Sequence, residues 1–93
     1  EHHTGAFCDA DGSRAGRELQ RLIRGARMAH NLGLRVNAGH GINMETIGAI
    51  LRLPHLDTLN IGHSLVCRAV VTGIRDAVRE MVTAMRRYRG GEP

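Results

Sequence analysis

The sequence predicts an α/β fold built on a parallel sheet, and three observations carry that expectation. Short apolar runs alternate with stretches of helical periodicity along the 93 residues. Two of the runs lead into the same kind of loop, Leu34-Arg35-Val36-Asn37-Ala38-Gly39-His40-Gly41 and Leu56-Asp57-Thr58-Leu59-Asn60-Ile61-Gly62-His63. Each Gly-His loop is then followed by a helical pattern. Strands that alternate with helices pair in parallel through right-handed crossovers.

The elements follow in order. Residues 1–5 read as the end of a strand running into a glycine turn, and residues 6–13 as a loop in which Asp11, Gly12 and Ser13 are turn and N-cap formers. A helix is expected over about 14–32. Leu19, Leu22, Ile23, Ala26 and Ala29 recur on one face, while Arg17, Glu18, Arg21 and Arg24 lie on the others. Gly33 ends it as a C′ glycine, with Leu34 behind it. A strand over 34–38 precedes a short helix over about 44–52, which starts at the N-cap Asn43, carries Glu45 in its first turn and stops before Pro54. A third strand covers 57–61. The stretch 64–89 is helical and divided by Gly73: Leu65, Val66, Ala69 and Val70 line the first piece, and Ile74, Ala77, Val78, Met81, Val82 and Met85 the second. Residues 89–93 are expected to fray.

The order β-α-β-α-β-α-α, with an extra short helix after the last strand, is that of the end of a (β/α)8 TIM barrel, where such a helix caps a phosphate site. The chain is therefore read as about strand six to helix eight, residues 1–93 forming the C-terminal part of a single barrel domain whose N-terminal part is absent. Its abrupt start on Glu1-His2-His3-Thr4-Gly5 fits a fragment or a processed product.

Composition narrows the function classes. Apolar residues make up 42% and aromatic residues 2%, so any core is aliphatic. All 13 basic residues are Arg, and the formal net charge is +4. No basic patch is interleaved with aromatics, which argues against a nucleic-acid partner. No run approaches the roughly 18 apolar residues that a membrane span needs, and no signal peptide is visible. Cys8 and Cys67 lie far apart without CxxC spacing and read as reduced thiols of a cytoplasmic protein, packed as small apolar groups.

The two loops carry the chemistry. Glycine lets backbone approach a ligand closely, and a helix that follows directs free N–H groups at an anion. Gly41, Gly62 and His63 thus suit a phosphate cradle, with simple turn geometry or a helix N-terminal residue as the plainer alternative. Ser64 is placed to add a hydrogen bond. His40 places an imidazole just beyond a strand, where barrels keep their active sites; on the residues alone it is either a proton-transfer group or a structural loop histidine. Glu1, at a strand end, is a carboxylate able to stabilise a cationic intermediate, or a frayed terminal charge. Glu1, His2, His3, His40 and His63 also invite a zinc reading, but their spacing is not that of a structural zinc site. His30 and His55 read as surface residues, and Asp9 and Asp11 as loop formers.

The segments Glu1-His2-His3-Thr4-Gly5, Val36-Asn37-Ala38-Gly39-His40-Gly41 and Leu59-Asn60-Ile61-Gly62-His63, with Arg68-Ala69-Val70 and Gly73 behind them, resemble the pyridoxine 5′-phosphate synthase family of the vitamin B6 pathway. The resemblance covers nearly the whole chain, and the two Gly-His blocks together are specific. It implies a (β/α)8 barrel that condenses 1-deoxy-D-xylulose 5-phosphate with 3-amino-2-oxopropyl phosphate into pyridoxine 5′-phosphate, releasing phosphate and water. It implies no metal or organic cofactor, and assembly into a homo-oligomer. It matches His40 to the proton donor, Gly41, Gly62 and His63 to residues that hold the aminoketone phosphate, and Glu1 to the glutamate that stabilises the transition state. Two positions depart from the family: His2 stands where Leu or Ile is usual, and Phe7 where Tyr is common. The family's other acid–base histidine and glutamate, and its sugar-phosphate ligands, come from the first half of the barrel. Two rival readings remain: a non-catalytic half-barrel module that binds phosphorylated ligands or assembles with a partner chain, and a basic interaction module built on the Arg-rich last helix.

Overall fold

A computed structural model describes residues 1–91. Three strands, β1 (His2–His3), β2 (Val36–Gly39) and β3 (Leu56–Asn60), form one sheet in the order β1-β2-β3. Both pairings are parallel, with His2 opposite Ala38, His3 opposite Gly39 and Gly39 opposite Asn60; a register shift falls between Val36 and Asn37. The expected order and direction of the three strands therefore hold, with bounds displaced by one or two residues.

The helices are α1 (Gly5–Cys8), α2 (Gly12–Asn31), α3 (Ile47–Ile50), α4 (His63–Thr72) and α5 (Ile74–Met85). The expected loop over 6–13 instead contains α1, one turn that inserts Phe7 into the core, and α2 begins as early as Gly12. α2 ends as its sequence suggests: Gly33 takes φ +80°, its N–H donates to the His30 carbonyl at 3.0 Å, and the Leu34 N–H reaches Ala29 at 2.9 Å. These are the two bonds of a Schellman cap.

The helix expected over 44–52 contracts to the four residues of α3. Asn43 still caps that segment: its Oδ1 accepts the N–H groups of Glu45 (2.8 Å) and Thr46 (3.0 Å), while Thr46 Oγ1 accepts the Asn43 N–H at 2.9 Å. The reciprocal pair is a capping box with threonine in the glutamate position. Gly73, at φ +87°, separates α4 from α5 as expected. The two helices are joined across the break by both ends of the Arg68 guanidinium, each 3.1 Å from a Glu80 carboxylate oxygen.

Ile23, Val36, Ala38, Ile50 and Leu53 are all but sealed from solvent and pack with Leu19, Leu22, Ala26 and Met81 in one core that is aliphatic but for Phe7. The core fills the sheet face covered by helices. The apolar lining expected of α4 is not buried: Val66 is 62% and Val70 84% exposed, and α4 buries no residue fully. In α5, Ala77 and Met81 are buried, but Ile74, Val78 and Val82 are exposed. Helical periodicity marks which face wants a partner, and here part of that face has none among the described residues. Beyond α5 the chain folds back against the segment before β3. Tyr88 Oη donates to the Leu53 carbonyl at 2.7 Å and accepts the Leu56 N–H at 2.9 Å, and Gly91 lies against Pro54. Residues 92 and 93 lie outside the described residues.

Alternation along the strands puts Glu1, His3, Asn37, Thr58 and Asn60 on the other sheet face. That face is polar and open: Glu1, His3, Thr58 and Asn60 are exposed, while Asn37 Oδ1 is buried without a hydrogen-bond partner among the described residues. β1 and β3 are the two edges of the sheet.

His2 points the other way, and its imidazole lies against Gly25 of α2, where a Cβ would come within 3.0 Å of its Cε1. Burial, with a smaller contribution from the α-ammonium group of the chain, holds His2 below the ordinary value of 6.5. Because the folded state disfavours the charged form, the stability contributed by neutral His2 is complete above that value and is lost as pH falls toward the lowered one. His2→Leu should remove this component. Denaturant unfolding followed from pH 8 to pH 5 should show a drop near and below 6.5 that shrinks in the variant; parallel pH profiles would contradict it.

Candidate functional site

The two Gly-His loops leave the C-terminal ends of the adjacent strands β2 and β3, so their tips face the same end of the sheet. His40, Gly41, Ile42, Asn43, Asn60, Ile61, Gly62, His63 and Ser64 line one cleft of about 460 Å³. Four of the five residues singled out from the sequence, His40, Gly41, Gly62 and His63, are thus brought together. The fifth, Glu1, lies one step away. Its carboxylate rests over Gly39, where a Cβ would meet Oε2 at 2.9 Å, and accepts a hydrogen bond from Asn60 Nδ2.

The cleft is rich in uncommitted donors. The backbone N–H groups of Gly41, Gly62, His63 and Ser64 have no acceptor among the described residues. Those of His63 and Ser64 open the ten-residue helix α4, where the helix dipole adds to their attraction for an anion. A Cβ at Gly62 would meet nothing within 4 Å, so this glycine leaves open room in the cleft. Gly41 is needed by the chain itself: it takes φ +80°, and a Cβ there would lie 3.0 Å from Cys8 Cβ. Both imidazoles, His40 and His63, are exposed toward solvent. A slightly larger cleft of about 510 Å³ lies between the α3 segment and the end of α5, lined by Met44, Leu51, Arg52 and Arg87 among others. No imidazole lines it, whereas two line the smaller cleft.

Ser64 does not offer its hydroxyl to a ligand; Oγ donates to the Ile42 carbonyl at 2.6 Å and pins the start of α4 to the loop after β2. Of the two cysteines, Cys8 packs against the core as expected and Cys67 does not. Cys8 is half-buried, but Cys67 is exposed on α4 with Sγ 3.6 Å from His63 Nε2, one helical turn away, and so does not pack as an apolar group. The five side chains of the zinc reading are not gathered: among the described residues, no three His, Cys, Asp or Glu side chains are placed to share a metal ion. His30 and His55 are on the surface, as expected, yet their rings stack on each other at 3.6 Å.

Two contributors escaped the sequence. Asn60 connects Glu1 to the cleft wall. Thr4, wholly buried, donates Oγ1 to the carbonyls of Gly39 (2.9 Å) and His40 (2.7 Å), while its N–H reaches Gly39 at 2.8 Å. It thereby fixes the backbone that carries His40. The weak signal available was a β-branched polar residue between a strand end and a glycine.

Fold and cleft together define an α/β protein whose site lies beyond the carboxyl ends of parallel strands. The family model described as "Pyridoxal phosphate biosynthesis protein PdxJ" matches residues 1–87, and the chain belongs to that family. It is similar to the pyridoxine 5′-phosphate synthase of Opitutus terrae, 54% identical over 87 residues that take in 91% of this chain and 35% of that protein. The synthase of Akkermansia muciniphila is 49% identical over 88 residues, 94% of this chain and 36% of that protein. That of Parasynechococcus marenigrum is 47% identical over 81 residues, 87% and 32% respectively. The chain spans about a third of the length of these curated relatives. No helix among the described residues is long and apolar enough to cross a membrane.

Proposed function

We propose that this chain supplies the proton-donor and phosphate-binding side of a pyridoxine 5′-phosphate synthase. In this reading residues 1–93 form the C-terminal part of a (β/α)8 barrel, about strand six to helix eight, with α4 as the extra helix after the last strand. The observation that carries it is the single cleft in which His40, Gly41, Gly62 and His63 meet. The open polar sheet face, its orphaned Asn37 oxygen and the two sheet edges support a barrel that continues on both sides. The names of the relatives support the reaction.

The substrates proposed are 1-deoxy-D-xylulose 5-phosphate and 3-amino-2-oxopropyl phosphate. The loop amides of Gly41 and Gly62, the start of α4 and the His63 imidazole hold the aminoketone phosphate. His40, exposed at the rim, returns protons during the imine, elimination and ring-closing steps; an imidazole suits this because it exchanges protons near neutral pH. Glu1, oriented by Asn60, places a carboxylate where cationic character develops. The reaction uses side-chain acid–base chemistry with no metal or organic cofactor. The enzyme is proposed to act in the cytoplasm as a homo-oligomer, without nucleic-acid or membrane partners. The 93-residue chain alone should form no product, because the other acid–base residues of the family are not in it.

The test is a chimera in which this chain replaces the segment it matches in the Opitutus terrae enzyme. His63→Ala in that chimera should raise KM for the aminoketone phosphate about tenfold and alter kcat much less, because a phosphate contact is made in ground and transition states alike. An unchanged KM would remove His63 from the phosphate site. A phosphate-binding module without catalysis would instead leave the unsubstituted chimera able to bind substrate yet unable to turn it over.

A further inference from the structure

His40 stands in an unusual position for a residue that must aim its ring. Its backbone takes φ +84°, its side chain is exposed, and no described residue hydrogen-bonds its imidazole. An exposed histidine in open solvent samples several χ1 and χ2 wells, and a proton donor that wanders among them is out of reach most of the time.

Three consecutive residues at the end of β1 supply the constraint. The His3 ring stacks on the His40 ring, with centroids 4.2 Å apart and planes inclined by 26°. Thr4 holds the carbonyl of His40 itself. Gly5 makes the stack possible, since a Cβ there would lie 2.7 Å from His40 Cδ2 and 2.8 Å from His3 Cε1. His3 belongs to the open face of the sheet, next to Glu1, so its ring has no place in the helix-side core. The backbone of His40 is thus fixed by one neighbour, its ring by a second, and the room for both rings is kept by a third.

We infer that His3 is a positioning residue that holds the His40 imidazole in its proton-donating direction through a ring stack. The inference rests on the proposal that His40 is the proton donor. What the stack requires of residue 3 is a flat ring, not a nitrogen.

The test uses the chimera described above. His3→Ala should lower kcat about tenfold with KM for both substrates nearly unchanged, the pattern for losing alignment of a reacting group. His3→Phe should recover most of that loss, because it keeps the flat ring. Placed on His40→Asn, His3→Ala should cost nothing more, because a residue that acts only through His40 has nothing left to align. The His40 ring protons should also lose their ring-current shift in the NMR spectrum of His3→Ala and keep it in His3→Phe. Full kcat in His3→Ala, failure of His3→Phe to recover, or a further loss on top of His40→Asn would each overturn the inference. A near-normal kcat in His40→Asn alone would instead sink the proton-donor reading, and the NMR comparison would then decide separately whether His3 orients the ring.

Discussion

In the chimera with the Opitutus terrae relative, His40→Asn should leave the fold and substrate binding intact and slow turnover by about 100-fold or more, the usual scale for losing a general acid or base. Asparagine tolerates a left-handed backbone better than most residues, so the φ of +84° at this position should not itself undo the loop. Its amide can hydrogen-bond in the cleft but cannot deliver a proton near pH 7. KM should therefore change little, which separates this variant from His63→Ala. Steady-state kinetics at several pH values checks both parts. A kcat within a few-fold of the parent would refute the role.

The second large effect is expected at Thr4, a residue that need not touch substrate. Thr4→Val keeps the shape and the β-branch but removes the Oγ1 hydrogen that Gly39 and His40 accept. Gly39 retains the Thr4 N–H at 2.8 Å, whereas His40 loses this donor. Removing one partner of a buried hydrogen bond costs about 1–3 kcal/mol. The variant should unfold at lower denaturant, and it should also turn over more slowly, because the His40 carbonyl loses the hydroxyl that holds it. Thr4→Ser, which keeps the hydroxyl, should lie close to the parent on both counts. Thr4→Val with an unchanged midpoint and unchanged kcat would show that the Thr4 hydroxyl is dispensable.

The parts of the molecule that local pattern controls could be read before any coordinates. The parallel order of the strands follows from the alternation of runs and helices. The stop at Gly33 follows from a left-handed glycine, and the break at Gly73 from the same residue type. The convergence of the two Gly-His loops follows because loops after adjacent parallel strands leave from one end of the sheet. What escaped depends on contacts between residues distant in sequence. Thr4 reaches across 36 residues to His40, and Tyr88 across 35 to Leu53. Ser64, which looked free to meet a ligand, spends its hydroxyl on Ile42, 22 residues earlier. Nothing in a local pattern announces such a partner.

A different limit applies to α4. Its apolar residues repeat at helical spacing, yet Val66 and Val70 face solvent. Periodicity identifies a face that favours burial but not the surface that buries it. The short helix over 44–52 shows a third limit. Asn43 still bonds the N–H groups of Glu45 and Thr46, but the α-helix is only Ile47–Ile50, with Thr46 and not Asn43 at its N-cap.

The central claim is that this chain brings a working half of a synthase site, not merely a matching fold. Product formation by the chimera measures that directly. Given 1-deoxy-D-xylulose 5-phosphate and 3-amino-2-oxopropyl phosphate, the unsubstituted chimera should form pyridoxine 5′-phosphate and release phosphate at a rate within about tenfold of the parent relative, a margin that allows for a small misalignment at the joined interfaces. A chimera that folds, elutes like the parent and binds both substrates, yet forms no product, would contradict the claim.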